Sequence, residues 1–283
     1  MPDSCGVVLV ATGAERYIAL AARAAASVRR HCPGLAVDLF TDAPREAPVF
    51  DRVHVLAEPW FRSKIDALAG ARFARTLYMD ADMLALADFR DVFEVLDRFD
   101  IALAQDWYRN APLHHSFWRK PLPPAFPMFN GGLIALRRNP ATSAFLADWR
   151  KAIRESGSDR DQISLRELLW DSELRIATLP EEYNLLLIQG LRYWTTLFAA
   201  PRIIHSPKFH QQFDRYARAR DPAALRIGLV AASKLPMLLA ADRGLARMRG
   251  AEPREPTRRD RLARLGRLLA GLPATLAGRL RRG

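Results

Sequence analysis

Apolar positions along the chain fall into two patterns, unbroken short runs and stretches that repeat every three to four residues, and the two alternate. Gly6-Val-Val-Leu-Val-Ala-Thr12 is an unbroken run of the kind required by a strand covered on both faces. From Glu15 to His31, the residues Tyr17, Leu20, Ala21, Ala24 and Val28 recur at helical spacing until Pro33-Gly34 stops the pattern. Residues 35–41 and 53–56 predict a second and a third strand, and residues 62–69 a helix. A fourth strand begins at Arg75, runs into Asp80-Ala81-Asp82, and resumes as Met83-Leu84-Ala85-Leu86. Alternation of this kind predicts a doubly wound, mostly parallel sheet with helices on both faces.

After Asp82 the pattern becomes mixed α+β. Strands are predicted over 99–106 and 129–136, and amphipathic helices over 140–154 and 161–170, the second opening on Asp161 as an acidic N-cap. Between those strands lies a loop dense in Trp, His and Pro, carrying Trp107, Tyr108, His114, His115 and Trp118. An ordered loop this long in a compact domain usually carries function. No internal repeat interrupts the progression.

Ligands of such sheets bind outside the carboxyl ends of the strands. Thr12, Thr41-Asp42 and Asp80-Ala81-Asp82 all fall at such ends. The three-glycine dinucleotide fingerprint is missing, since Thr12-Gly13-Ala14 offers one glycine, and no Walker P-loop occurs. Asp80 and Asp82 stand two residues apart, so on an extended strand their carboxylates point the same way. Such an oxygen pair suits a hard divalent cation that also holds phosphate, Mg²⁺ or Mn²⁺. Two solvated aspartates at a strand end are the other reading.

Charge adds a division. The 283-residue chain has a net charge of +12, yet twelve arginines against three acids lie between Arg243 and Gly283, leaving +3 for residues 1–242. Residues 222–249 and 257–282 alternate Leu, Ala and Arg at helical spacing on either side of a Pro253–Pro256 break. Arg261, Arg264 and Arg267 with Leu262, Leu265, Leu268 and Leu269 form a basic amphipathic pattern. Helices of that type lie on anionic membrane surfaces, although a solvated or domain-capping helix fits the pattern equally. The expected organisation is an α/β domain over 1–221 and a basic helical extension over 222–283. No nucleic-acid partner is expected, because no recognition motif accompanies the charge. Two cysteines, Cys5 and Cys32, form neither a metal knuckle nor a disulfide framework and suit a reducing compartment. No signal peptide or spanning segment is read, the longest apolar stretch containing Lys234 and Pro236. A cytoplasmic location is therefore expected, with peripheral attachment to the inner face of the membrane through the extension as an option.

Several short motifs occur in a telling order. They are the opening strand at Gly6, Lys64, Leu77-Tyr78-Met79-Asp80-Ala81-Asp82, Phe129-Asn130-Gly131-Gly132, Asp161-Gln162, Leu179-Pro180 to Tyr183-Asn184, and Ile204-His205-Ser206-Pro207-Lys208. Over residues 6–210 this order resembles GT-A fold glycosyltransferases, most of all the retaining glycogenin and bacterial lipopolysaccharide galactosyltransferase type of family 8. The resemblance implies an α/β fold, a Rossmann-like doubly wound mixed sheet. It further implies metal-dependent transfer of a hexose from a nucleotide-diphosphate sugar, with UDP the expected nucleotide, to a glycan or lipid-linked acceptor. Retention of configuration and a role in bacterial cell-envelope polysaccharide synthesis follow from the same likeness.

Site residues carry over position by position. Asp80, Asp82 and His205 would hold Mn²⁺ or Mg²⁺, with His210 a spare candidate. Lys208 would meet the diphosphate, Lys64 would help hold the nucleotide or sugar, and Thr12 and Tyr17 would meet the nucleobase. Asn130, Gly131 and Gly132 would line the donor-sugar pocket. Asp161 would bind sugar hydroxyls, and Gln162 would stabilise a developing oxocarbenium ion. The chain departs from the family where its histidine is normally followed by Gly and then Lys-Pro-Trp. Here Ser206-Pro207 precedes Lys208 and no Trp follows, so Lys208 rests on its spacing from His205. The residues themselves leave other roles open: Lys64 and Lys208 as solvated lysines, Tyr17 as core, Asp161 as a plain cap, His205 as a packed histidine. Two rival functions stand beside transfer. A sugar nucleotidyltransferase needs a Gly-rich phosphate loop near residue 12, which residues 11–15 lack, and a non-catalytic membrane-peripheral binding protein has no need of Asp80, Asp82 and His205 together.

Overall fold

The computed structural model describes residues 4–210 and 229–270. The expected boundary after residue 221, and residues 222–228 and 271–283 of the expected extension, lie outside the described residues.

The parallel half of the sheet is built first. It comprises β1 (Cys5–Ala11), β2 (Ala36–Thr41), β3 (Arg52–Val55) and β4 (Arg75–Met79), with α1 (Glu15–His31) and α2 (Lys64–Gly70) as crossovers. β5 (Met83–Ala85) follows, then α3 (Val92–Val95), β6 (Ile101–Gln105), α4 (Pro112–His115) and β7 (Phe129–Arg137). The remainder is α5 (Pro140–Ser156), α6 (Asp161–Asp171), β8 (Ile176–Leu179), β9 (Ile203–His205), and the C-terminal helices α7 (Leu229–Ala241), α8 (Arg243–Met248) and α9 (Arg258–Ala270).

Among the described residues, seven strands form one sheet in the order β3-β2-β1-β4-β7-β6-β8. β1, β2, β3 and β4 run parallel, while β7 is antiparallel to both β4 and β6. The sheet is thus mixed, and its reversed strand has a functional consequence. Because β7 runs against β4, it starts where β4 ends, and Leu133 pairs with Met79. The Asp80 amide then donates to the Gly132 carbonyl at 2.8 Å. A second ladder, β5 against β9, pairs Met83 with His205.

Alternation along β1 divides the core. Val7, Leu9 and Ala11 pack with Leu20, Ala24 and Val28 of α1. Val8 faces the other way, into a layer with Leu68 of α2, Phe145 and Trp149 of α5, and Leu165 of α6. α5 starts with a capping box, the Asn139 side chain accepting from the Thr142 amide while the Thr142 hydroxyl accepts from the Asn139 amide. It ends on Gly157 at φ +61°, a left-handed conformation that suits glycine.

The C-terminal helices are joined to this body by a buried ion pair. Arg202 donates to Asp242 through Nη1 at 2.9 Å and Nη2 at 3.0 Å, and both side chains are almost wholly buried. Asp242 also accepts the amides of Ala200 and Leu245, and so caps α8. Burial would raise the Asp242 carboxyl, but the Arg202 guanidinium and the two amides outweigh it and hold the group below its ordinary value. No described helix is long and apolar enough to cross a membrane.

Candidate active site

β4 ends at Met79, and the chain turns at Asp80-Ala81-Asp82, with the Met83 amide donating to the Asp80 carbonyl at 3.1 Å. Strand alternation therefore does not bring the two carboxylates together, as the sequence had suggested. A tight turn does so, and β9 supplies the third group. With His205 opposite Met83 and the Ser206 amide bonded to the Asp82 carbonyl, one potential ligand atom from each of Asp80, Asp82 and His205 lies within 4.8 Å of the others.

The donor set is two carboxylates and one imidazole. His205 Nε2 lies 3.3 Å from Asp82 Oδ1 and 3.9 Å from Asp80 Oδ2. Its Nδ1 faces Asn184 Oδ1 at 3.1 Å, an arrangement that fixes the ring orientation and leaves Nε2 pointing at the carboxylates. Asn184 in turn donates to Asn130 Oδ1, which also accepts the Gly132 amide. Tyr78 donates its hydroxyl to Asp80 Oδ1 at 2.5 Å, and burial, followed by the Asp80 charge, pushes that phenol well above its ordinary range. Burial alone would raise the Asp82 carboxyl, but His205 and His210 hold it well below its ordinary range. Burial would lower His205, and Asp82 more than offsets this and raises it. Oxygen and imidazole ligands in this ratio fit Mn²⁺ or Mg²⁺, so the residues present suit the expected metal. His210 reaches Asp82 Oδ2 at 3.3 Å and remains a neighbour of the cluster.

A second cluster adjoins the first. Lys64 is buried, forms an ion pair with Asp161, donates to the Gly131 carbonyl at 2.9 Å, and lies 5.8 Å from the centre of the Tyr78 ring. It is no surface lysine. Arg62 approaches Asp161 Oδ1 at 3.3 Å. The Asp161 side chain therefore does not cap its helix: the N-cap is Arg160, and no side-chain cap bond forms. Burial would raise Asp161, but the Lys64 and Arg62 charges hold it below its usual value. Gln162 donates its amide to Asp106 Oδ2 at 3.1 Å and to the Phe129 carbonyl at 2.9 Å, leaving its own oxygen without a partner among the described residues. The glycine pair joins the two clusters. A Cβ at Gly131 would stand 2.9 Å from Lys64 Nζ and 3.0 Å from Asp161 Oδ2. One at Gly132 would stand 2.5 Å from His205 Cε1 and 2.8 Å from Asp80 Oδ2.

Beside these clusters opens a cleft of about 390 Å³, its walls including Thr12, Tyr17, Trp60, Phe61, Lys64 and Asp80. Tyr17 is half-buried and stands edge-on to His210 with ring centres 5.4 Å apart. At the opposite end of the turn after β1, the Gly13 amide donates to Asp42 Oδ2 at 2.6 Å, tying the ends of β1 and β2 together. The structure thus brings Thr12, Tyr17, Lys64, Asp80, Asp82, Asn130, Gly131, Gly132, Asp161, Gln162 and His205 to one edge of the sheet. Lys208 is exposed just past His205 and joins no ion pair among the described residues.

Sequence reasoning missed Asn184 as the orienter of His205, Tyr78 as the partner of Asp80, Asp106 as the partner of Gln162, and Trp60 and Phe61 as cleft walls. Asn184 was visible as part of a motif, and Trp60-Phe61 as an aromatic pair ahead of α2. Asp106 lies at the end of a predicted strand, but nothing local links it to residue 162.

The comparisons agree with this geometry. Residues 71–207, nearly half of the chain, match the sequence model of the nucleotide-diphospho-sugar transferase family, a span that holds Asp80, Asp82, Asn130, Asp161, Gln162 and His205. No curated protein matches the chain in sequence. Among solved structures, the glycosyltransferase GlyE of Streptococcus pneumoniae TIGR4 is similar at 18% identity and TM-score 0.52, over 78% of this chain and 62% of its own. Its apo form is similar at 17% identity and TM-score 0.53, over 82% of this chain and 63% of its own. The chain therefore spans less than two thirds of the GlyE structures that it matches. The match over residues 71–207 is a similarity to that family, and the solved structures share the mixed α/β fold.

Proposed function

We propose that the chain transfers a hexose from a nucleotide-diphosphate sugar, UDP being the nucleotide expected, to a glycan or lipid-linked acceptor, and that it does so with a divalent cation. The observation that carries the reading is the convergence of Asp80, Asp82 and His205 beside a cleft that also holds Thr12, Tyr17 and Lys64. Mn²⁺ or Mg²⁺ held by the three ligands would supply positive charge against the departing diphosphate. Asn184 keeps Nε2 of His205 turned toward that position.

The chain's own groups account for the remaining work. Lys64 supplies a cation at the floor of the cleft and holds Asp161 as an ionised acceptor for sugar hydroxyls. Gly131 and Gly132, which with Asn130 would line the donor-sugar pocket, let Lys64, Asp161, Asp80 and His205 close on the backbone where a Cβ would collide with them. The Gln162 oxygen is an acceptor for the developing positive charge at the anomeric carbon. Asp161, the deeply buried carboxylate next to Gln162, is tied to two cations and so is a poor nucleophile. That favours retention by front-side displacement over a covalent glycosyl-enzyme. Lys208, exposed beside the metal ligands, is assigned to the outer phosphate. Peripheral attachment to the inner face of the membrane would bring the site to lipid-linked acceptors.

The test is donor hydrolysis across a panel of UDP-sugars with and without Mn²⁺. Turnover that needs the metal and collapses in Asp82→Ala is expected. Absence of binding and turnover with every nucleotide sugar in the presence of Mn²⁺ would refute the transferase reading, and full activity in Asp82→Ala would remove that residue from the metal site.

A further inference from the structure

A second polar cavity, of about 310 Å³, lies among α7, α9 and the segment 194–196. Its walls include Thr195, Thr196, Lys234, Glu255, Arg261 and Arg264. Lys234 retains only 7% of its surface, and its ammonium donates to the carbonyls of Arg192 and Trp194, the latter at 3.0 Å. An ammonium has three donors, so one is left over. Among the described residues no carboxylate pairs with Lys234. Nε of Arg264 is buried without a hydrogen-bond partner. Glu255 does not neutralise the pair, since its carboxylate is exposed and approaches Arg243 at 3.7 Å. Burial, and then the Arg264 charge, hold the Lys234 amine below its ordinary value. A buried cation without a counter-charge is costly, and an anion seated between Lys234 and Arg264 removes that cost.

The residues next to these walls along the chain have the opposite character. Tyr193, Leu197 and Phe198, which flank the 194–196 segment, are 70%, 94% and 46% exposed. On α9, Leu262 and Leu265 are 66% and 55% exposed, while the intervening Arg264 is half-buried. Here the leucines point outward and Arg264 turns toward the cavity. Apolar side chains beside a cationic recess match a phosphate group carried on hydrocarbon, and a soluble anion would gain nothing from them.

We propose that this cavity binds the phosphate group of a lipid through Lys234, Arg261, Arg264 and the hydroxyls of Thr195 and Thr196, while Leu197, Leu262 and Leu265 enter the acyl layer. The inference rests on the membrane-attached part of the proposed function and not on the metal or donor site.

The experiment is flotation of the full chain with vesicles of phosphatidylcholine, alone, with phosphatidic acid, or with oleate at matched surface charge. Wild-type protein should float with phosphatidic acid and not with the other two. Arg264→Gln should weaken that binding about tenfold or more, as expected for a lost charge-assisted hydrogen bond, with its melting temperature unchanged. Leu197→Ser/Leu262→Ser should weaken it as well, and donor hydrolysis in solution should be unaffected in both variants. Equal binding of Arg264→Gln and wild type to phosphatidic acid vesicles, or equal binding of wild type to oleate vesicles, would overturn the phosphate site. Titration with inorganic phosphate separates the sources: Arg264-dependent binding of phosphate without vesicle binding would overturn the lipid assignment. Failure of donor hydrolysis with vesicle binding intact would count against the transferase reading alone.

Discussion

Replacing Gly132 by alanine perturbs the metal cluster through a single methyl group. Gly132 does not occupy a positive-φ conformation, so the backbone accepts alanine and the effect is steric. The new Cβ would lie 2.5 Å from Cε1 of His205, 2.8 Å from Oδ2 of Asp80 and 2.9 Å from Oδ1 of Asn130. Carbon atoms settle at about 3.5 Å or more, so His205 must retreat by about 1 Å. It has little room to do so, being buried and held between Asn184 and Asp82 in a strand paired with β5. Asp80, with 32% of its side chain exposed, can swing away, but that opens the ligand triad. Overpacking of this kind costs about 1–3 kcal/mol of stability, and a misplacement near 1 Å costs about 100-fold in rate. Mn²⁺ affinity by calorimetry, UDP-sugar turnover and thermal unfolding on Gly132→Ala would be measured together. A folded protein with weakened Mn²⁺ binding and turnover about 100-fold down is expected. Affinity and turnover within about twofold of wild type, with an unchanged melting temperature, would show that the seam between β7 and the Asp80 turn has room to spare and that the reasoning is wrong.

Three further outcomes follow from the same geometry. Asn184→Ala removes the orienter of His205 without touching the metal ligands, and should weaken Mn²⁺ binding about 10–100-fold, read by calorimetry; an unchanged affinity would assign Asn184 to packing alone. Arg202→Met leaves Asp242 buried and unpaired, and should cost about 3–5 kcal/mol in chemical denaturation, whereas a loss below about 1 kcal/mol would mean the pair contributes little to holding α8 on the body. Asp100, whose carboxyl would be raised by burial, is instead brought down to about 2 by the Arg175 amide and the Arg137 and Arg175 side chains. A group depressed in the folded state stabilises above its unfolded pKa of about 4 and loses that contribution as pH falls toward 2. Asp100→Asn should therefore flatten the fall in stability between about pH 4 and 2, and an identical acid limb in both proteins would exclude Asp100 as its source.

The alternation of apolar runs along the chain was enough to place β1, α1, β2, β3, β4, β7, α5 and α6 to within a residue or two, because each buries a face whose period is written in its own residues. The candidate ligands were legible for a related reason. Carboxylates and a histidine next to strands stand out against apolar neighbours, and Asp80, Asp82, Asp161 and His205 could be picked out before any geometry was known. Local sequence could not say how they meet. The reversal of β7 beside β4, which sets Gly132 against Asp80, depends on pairing between segments more than fifty residues apart. The β5–β9 ladder that delivers His205 to Asp82 spans more than a hundred and twenty residues. The same holds for the burial of Lys64 against Asp161, for Asn184 behind His205, and for Arg264 half-buried on a helix whose Leu262 and Leu265 face out. Helix and strand periods are local quantities carried by neighbouring residues. Strand order, register and the partner of a buried charge are settled by what the rest of the chain packs against them, and at the Asp80 turn that packing turns scattered acids and a histidine into one site.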